Sequence, residues 1–213
     1  RKDALLEILD KVHNQEIDIL VGTQMLAKGH DFPNLTLVGV IDTDSALHSP
    51  DFRASERLFA QLMQVAGRAG RADKAGQVMI QTQFPDHALF NALRKQDYES
   101  YANVLLQERE QMQFPPYVFT ALLRAEANDY SWVQQFLQLT FAHARSLSDQ
   151  VLVYDPVRPQ MERLKGMERG YILLQAKQRS VLHGALRQLV LKMRASKLAN
   201  KVRWAVDVNP LEF

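Results

Sequence analysis

Two arginines three residues apart dominate the segment 64–71, which reads Gln-Val-Ala-Gly-Arg-Ala-Gly-Arg. Arg68 and Arg71 each directly follow a glycine. Guanidinium groups are planar forks that suit phosphate oxygens, and glycine lets a backbone approach a ligand closely. The segment therefore predicts a phosphate-binding turn. The alternative is an arginine- and glycine-rich turn on an ordinary surface.

A second polar segment, residues 21–33, reads Val-Gly-Thr-Gln-Met-Leu-Ala-Lys-Gly-His-Asp-Phe-Pro. It follows the apolar run 17–22, which predicts a buried strand, and open α/β sheets bind ligands at the carboxyl ends of strands. Its polar and flexible residues of interest are Thr23, Gln24, Lys28, Gly29 and Asp31. A plain connection between a strand and a helix is the alternative interpretation.

A third candidate lies where a predicted strand ends and a helix begins, at Lys177 and Arg179. The amino terminus of a helix favours anions because its first N–H groups lack partners within the helix. We therefore predict an anion site, for an acidic peptide tail or a DNA phosphate. The alternative is a solvated pair of cations.

Other chemistries find little support in the sequence. The chain has no cysteine, and its six histidines show no pair at metal-ligand spacing. It has neither a Gly-Xaa4-Gly-Lys-Ser/Thr loop nor an acidic magnesium-binding segment after a strand. We therefore expect that this chain alone neither hydrolyses ATP nor binds a metal. Asp42 and Asp44 end a predicted strand and are interpreted as caps of that strand end rather than as paired catalytic carboxylates.

The helices and strands that position these residues follow one pattern in the first part of the chain and another in the second part. Helical spacing of apolar residues and short apolar runs alternate up to residue 82, which predicts an α/β lobe with a parallel sheet covered on both faces. The predicted helices are 4–12, 53–66, 86–95 and 97–112, and the predicted strands are 17–22, 35–42 and 76–82. The Phe-Pro-Pro at 114–116 predicts a boundary between one domain, 1–114, and a second, 115–213.

The second domain has a different order of elements. Strands are predicted at 118–125, 151–155, 171–176 and 202–208, and helices at 131–147 and 180–193. Ser131 and Gln134 fit a capping box at the first of these helices. The order β-α-β-β-α-β predicts the split-βαβ, or ferredoxin-like, α+β arrangement. Trp132 and Trp204 fall on apolar faces and are predicted to be core residues.

Charge is distributed unevenly. Residues 1–95 carry 11 Lys and Arg against 12 Asp and Glu, whereas residues 156–213 carry 12 against 4. The basic end predicts a surface for a phosphate backbone or an acidic partner, with a solvated basic surface as the alternative.

No run of about 18 apolar residues is present, so a membrane protein is not indicated. The chain begins on Arg1 within a predicted helix, and we expect it to be a piece of a longer protein.

The two polar segments together resemble motifs V and VI of superfamily 2 helicases, because a Gly-Thr turn with Gly-Xaa-Asp-Xaa-Pro precedes Gln-Xaa-Xaa-Gly-Arg-Xaa-Gly-Arg by some 40 residues. The segments 48–57 and 114–117 and the split-βαβ tail narrow the resemblance to the PriA family of primosomal replication-restart helicases. This resemblance covers the whole chain. Only the stretch 157–170 departs from it, because the family's loop is more basic and aromatic.

The resemblance implies a role for each candidate residue and a RecA-like fold for the α/β lobe, as helicase lobe 2. Arg71 would be the arginine finger at the γ-phosphate, Arg68 a second phosphate or interlobe arginine, and Gln64 a group that positions nucleotide or water. The remaining assignments are nucleotide contacts at Gly29, Asp31 and Gly67, and contacts to single-stranded DNA at Thr23, Gln24 and Lys28.

The resemblance also implies cofactors and partners. ATP with magnesium would be bound mainly by the other helicase lobe, and the family's zinc by cysteines outside this chain. Single-stranded and branched DNA, single-stranded-DNA-binding protein and other primosome proteins would be partners, with Lys177 and Arg179 accepting an acidic tail. The expected activity is a 3′–5′ DNA helicase that recognises stalled forks in the cytoplasm, at the bacterial nucleoid.

Two other functions are compatible with parts of the sequence. The chain would be a non-catalytic scaffold for DNA or primosome proteins if the arginines of segment 64–71 did not act. It would belong to a superfamily 2 enzyme acting on RNA if the resemblance held only for the helicase motifs. The retained Arg68 and Arg71 argue against the first alternative, and the split-βαβ tail argues against the second.

Overall fold

The computed structural model describes residues 2–23, 32, 35–49, 51–67, 76–159 and 161–211, with side chains from residue 6 onward. The chain folds as two compact units, Arg1–Leu106 and Gln107–Phe213. The division falls within helix α5 (Tyr98–Gln111). The boundary predicted after residue 114 lies a few residues further along the chain.

The first unit contains a parallel pair of strands and the helices around it. In chain order its elements are α1 (Lys2–His13), β1 (Leu37–Val40), α2 (Asp44–Leu47), α3 (Ala54–Ala66), β2 (Gln77–Ile80), α4 (Ala88–Lys95) and the start of α5. Strands β1 and β2 pair in parallel, with Leu37 opposite Gln77 and Val40 opposite Ile80. Parallel neighbours require a crossover connection, and α3 lies in that connection. The predicted α/β lobe with a parallel sheet is confirmed.

The core of this unit forms where α3 packs against α4 and α5. The apolar face of α3 buries Leu58, Phe59 and Leu62, and Phe59 stacks on Tyr101 with ring centroids 4.8 Å apart. Val40 and Ile80 of the strand pair pack against the same cluster. The apolar face that the periodicity of 53–66 predicts is therefore the face that packs α3 against its neighbours.

The strand predicted at 17–22 is wrong. Among the described residues these positions pair with no strand, and Ile19 and Val21 are 81% and 87% exposed. An apolar run shows that a segment suits a buried strand, but a strand forms only where a neighbouring backbone completes its hydrogen bonds. No described segment provides that neighbour.

The second unit is an antiparallel sheet with two helices on one face. Its elements are β3 (Phe119–Ala127), α6 (Tyr130–Arg145), β4 (Val151–Val153), β5 (Arg163–Leu164), β6 (Met167–Ala176), α7 (Arg179–Ala195), a short 3-10 helix (Lys197–Asn200) and β7 (Arg203–Val208). The strand order is β4-β6-β3-β7, with β5 paired to β6. Each hydrogen-bonded pair is antiparallel. This is the predicted ferredoxin-like arrangement, with α6 and α7 as the two crossovers.

Gly170 sets the packing of α6 on this sheet. A Cβ at this position would lie 2.7 Å from Leu137 Cδ1 and 3.1 Å from Val133 Cγ1, both on α6. Leu137 and Val133 are fully buried, so neither side chain has space to withdraw. Trp132 and Trp204 pack against the same core while remaining partly exposed. Their predicted core role is confirmed.

Two local predictions in this unit are corrected by the structure. The capping box at Ser131 and Gln134 is wrong, because Asp129 is the N-cap of α6 and its carboxylate accepts a hydrogen bond from Ser131 N–H at 2.8 Å. Strand β6 begins at Met167, four residues before the predicted start at 171. It begins early because β5 pairs with it through a tight turn, in which Lys165 and Gly166 both have positive φ.

Candidate functional site

The described part of the arginine-rich segment lies at the carboxyl end of α3. Gln64 is exposed in the last turn, and Gly67 caps the helix with its N–H donating to Met63 O at 3.0 Å. Gly67 has φ −70°, and a Cβ there would meet Met63 O at an ordinary 3.5 Å. The local fold therefore does not require glycine at this position. Arg68 and Arg71, which follow directly, lie outside the described residues.

Asp51 fixes the other end of α3. Its carboxylate accepts a hydrogen bond from Arg53 N–H at 2.9 Å and forms an ion pair with Arg57, one turn into the helix. Asp51 N–H in turn donates to Ser49 Oγ at 3.2 Å. A carboxylate at the start of a helix satisfies N–H groups that have no partner within the helix. The segment that opens α3 therefore orients the helix that bears Gln64 and Gly67.

The carboxyl ends of β1 and β2 are joined by side chains. Asp44 accepts hydrogen bonds from the Thr82 hydroxyl at 2.6 Å and from Gln83 N–H at 2.8 Å, and the buried Thr43 hydroxyl donates to Gln81 O at 2.9 Å. The bonds from Thr82 and Gln83 lower the pKa of the Asp44 carboxyl below its ordinary value. Asp44 thus caps the strand ends, as predicted.

The segment predicted to contact single-stranded DNA is described only at its start. Thr23 is exposed and lies outside any helix or strand. The other residues assigned to nucleotide or DNA in this segment lie outside the described residues: Gln24, Lys28, Gly29 and Asp31. Their roles remain predictions.

The two residues predicted to bind an anion in the second unit lie at an open concavity of about 790 Å³ at the amino end of α7. Lys177 and Arg179 both line it, together with His183 and Arg187. The last two were not assigned to the site from the sequence. Their spacing is the signal that would have found them, because residues four apart lie on the same side of a helix. The described lining contains no acidic side chain.

Two other properties were searched for in the described residues. No group of three or more His, Asp or Glu side chains there is arranged to hold a metal ion. None of the helices described is long and apolar enough to cross a membrane.

Comparison with known proteins assigns both units. Residues 1–73 match the family described as Helicase conserved C-terminal domain. Residues 110–211 match the family described as Primosomal protein N C-terminal domain. The chain therefore joins the second, RecA-like lobe of a helicase to a C-terminal α+β domain, as predicted.

Similar whole proteins are longer than this chain. Replication restart protein PriA of Haemophilus influenzae is 40% identical over 215 residues, covering 100% of the chain and 29% of that protein. Replication restart protein PriA of Bacillus subtilis is 34% identical over 212 residues, covering 99% of the chain and 26% of that protein. The chain thus spans little more than a quarter of these relatives. It belongs to the PriA family of helicases and corresponds to the C-terminal portion of its members.

Proposed function

We propose that this chain is part of an ATP-dependent 3′–5′ DNA helicase that recognises branched DNA at stalled forks and initiates primosome assembly in replication restart. The observation that carries the proposal is the segment Gln64–Arg71, which begins in the last turn of α3, the crossover helix of a parallel strand pair, and lies inside the match to a helicase lobe. The names of the relatives support the restart role.

The proposed chemistry depends on the end of α3. Bound ATP with magnesium supplies the free energy of phosphoryl transfer and is held mainly by the other lobe. Gly67 suits a close contact with such a ligand, because it has no side chain that would keep a phosphate away from the backbone. The local fold does not itself require a glycine at this position. Arg71 stabilises the charge that develops on the γ-phosphate, and Arg68 binds a phosphate or the facing lobe. Gln64 positions the nucleotide or water.

The second polar segment completes this proposal. In this proposal Gly29 and Asp31 contact the nucleotide and orient the arginines, while Thr23, Gln24 and Lys28 hold the phosphates of the translocating strand. Such contacts position a strand without reading its sequence. Closure of the cleft on ATP and its opening after hydrolysis would advance this lobe along the strand.

The concavity at α7 supports a partner role for the second unit. Lys177 and Arg179 line it beside Arg187, and a cluster of cations attracts a carboxylate-rich segment. We propose that it accepts the acidic tail of single-stranded-DNA-binding protein, at the bacterial nucleoid in the cytoplasm. Any zinc of the full-length protein would be held by residues outside this chain, which has no cysteine.

Unwinding of partial duplexes with either a 3′ or a 5′ single-stranded tail tests the helicase proposal. With ATP, the full-length protein is expected to displace the strand from the 3′-tailed substrate only, and Arg71→Ala to abolish displacement while tail binding persists. Tight fork binding without displacement of either substrate would favour the scaffold function. Displacement only from RNA tails would favour an enzyme that acts on RNA.

A further inference from the structure

The segment from Lys177 to Lys201 is entirely basic in its charged residues. Its 25 residues hold seven Lys and Arg and no Asp or Glu. Most of this segment is helix α7, whose buried side packs on the sheet through Leu182, Leu186 and Leu189. All the charged residues on the outward sides of this 17-residue helix are therefore cations.

One side of α7 gathers the arginines into a line. At 3.6 residues per turn, Arg179, His183, Arg187 and Arg194 fall within about a quarter of the helix circumference. We name this line the α7 ridge, and it is about 22 Å long from Arg179 to Arg194 at 1.5 Å per residue. The three arginines are exposed, whereas Lys192 is exposed on the opposite side of the helix.

The ridge runs past two surface concavities. The one at its amino end is lined by Arg179, His183 and Arg187. A second, of about 540 Å³, lies at its carboxyl end, where Arg194 stands beside Asn200 and the edge strand β7. The cationic surface thus continues well beyond the concavity that we assign to an acidic tail.

The ridge arginines differ in their pairing from four other arginines of the same unit. On the strands, Arg124 pairs with Asp207 at 3.2 Å, and Arg203 pairs with Glu126 at 3.4 Å. In the stretch between β4 and β6, Arg158 pairs with Glu162 at 2.8 Å and Arg163 with Glu168 at 3.6 Å. Within the described part of the chain, no carboxylate lies within 4 Å of a ridge arginine. Carboxylates therefore balance the charge of these four arginines, whereas none balances the charge of the ridge arginines.

The chemistry of the ridge favours the backbone of duplex DNA. Its charged residues are arginines, whose forks suit phosphate oxygens better than ammonium groups do. Laid along a duplex, its length spans about six base pairs, at 3.4 Å of axis per pair. Sites for single strands combine cations with exposed aromatic side chains on which bases stack. Helix α7 contains no Phe, Tyr or Trp, and the aromatic residues that line the two concavities, Phe119 and Trp204, pack partly buried against the core.

We infer that the α7 ridge is a track for the phosphate backbone of duplex DNA. This inference rests on the proposed function, in which the protein acts on branched DNA, and it names the surface that holds a duplex arm. Contacts of this kind position a duplex without reading its sequence.

Binding of the full-length protein to a blunt DNA duplex, measured without ATP over a series of salt concentrations, tests the ridge. Arg187→Gln and Arg194→Gln are each expected to lower the slope of log affinity against log salt by about 0.9, and the double variant by about 1.8. Lys192→Gln removes the same charge from the opposite side of the same helix and is expected to leave the slope unchanged. Circular dichroism of each variant checks that α7 is intact.

Three results would overturn the inference. The first is an unchanged slope in the double variant, and the second is an equal loss in Lys192→Gln. The third is an equal loss of affinity for an unstructured single strand, which would make the ridge a general polyanion surface. Because these measurements contain no ATP, their outcome is independent of whether Arg71 acts in phosphoryl transfer.

Discussion

Asp44 illustrates how one carboxylate holds two strand ends together. The hydrogen bonds from Thr82 and Gln83 lower the pKa of Asp44 in the folded state. They therefore stabilise the fold above the ordinary carboxyl pKa, and this stabilisation is lost as the pH falls through the lower, folded-state value.

We expect Asp44→Ala to lower the thermal midpoint at neutral pH and to approach the wild-type midpoint in strong acid. Thermal unfolding followed by circular dichroism over a pH series measures this. Asp18→Ala removes the same charge at an exposed position outside the helices and strands, and it should change the midpoint little. A deficit in Asp44→Ala that stayed constant down to strong acid would contradict this role.

Arg179 is the residue on which the proposed tail site depends most. Arg179→Glu places a carboxylate in the concavity at the amino end of α7, so we expect binding of a synthetic aspartate-rich peptide to weaken by about tenfold or more, which corresponds to about 1.4 kcal/mol. Fluorescence anisotropy of the labelled peptide measures this. Lys192→Glu makes the same charge inversion away from the concavity. Equal losses in the two variants would mean that net charge, rather than this site, attracts the peptide.

At the residue scale the sequence identified part of the site. Lys177 and Arg179 were found because a strand-to-helix junction is visible in the pattern, and both line the concavity. His183 and Arg187 were missed because charged residues on a helix are usually solvated, and only the packed sheet shows which side of α7 faces the concavity. The roles of Arg68 and Arg71 remain predictions from the motif.

Helix α6 and strand β6 approach each other closely at Gly170. A methyl group there would overlap Leu137 Cδ1 at 2.7 Å within a filled core. We therefore expect Gly170→Ala to reduce the free energy of unfolding by about 1–3 kcal/mol. Urea unfolding measures this, and an unchanged midpoint would mean that α6 can shift away from the sheet.

At Gly184 in helix α7, unlike at Gly170, a side chain would have free space. A Cβ there would meet nothing within 4 Å, and glycine inside a helix costs about 0.5–1 kcal/mol relative to alanine. We expect Gly184→Ala to increase the free energy of unfolding by about that amount in the same urea assay. Destabilisation instead would show that the backbone at this position is not that of a regular helix.

At the element scale the sequence predicted most helices and strands. The α3 helix and the β-α-β-β-α-β order were predictable because apolar and polar residues recur with the period of each helix or strand. The strand at 17–22 was wrongly predicted, since apolar composition does not supply a pairing neighbour. The short strand β5 was missed, since two residues are too few to show a pattern.

At the scale of the whole molecule, a helicase lobe comes first and an α+β domain with a basic helix second. The sequence predicted this order, and the positive charge rises toward the end of the chain. It could not show which cations are paired, because pairing across strands, such as Arg124 with Asp207, depends on the register of the sheet.

The central claim is that this chain contributes an arginine finger to ATP hydrolysis. The most direct measurement is single-strand-stimulated ATP turnover of the full-length protein carrying Arg71→Ala, with the affinity for single-stranded DNA measured on the same sample. We predict a loss in turnover of about 100-fold or more with the affinity retained. Unchanged turnover would contradict the claim, make segment 64–71 a surface turn, and favour a scaffold function.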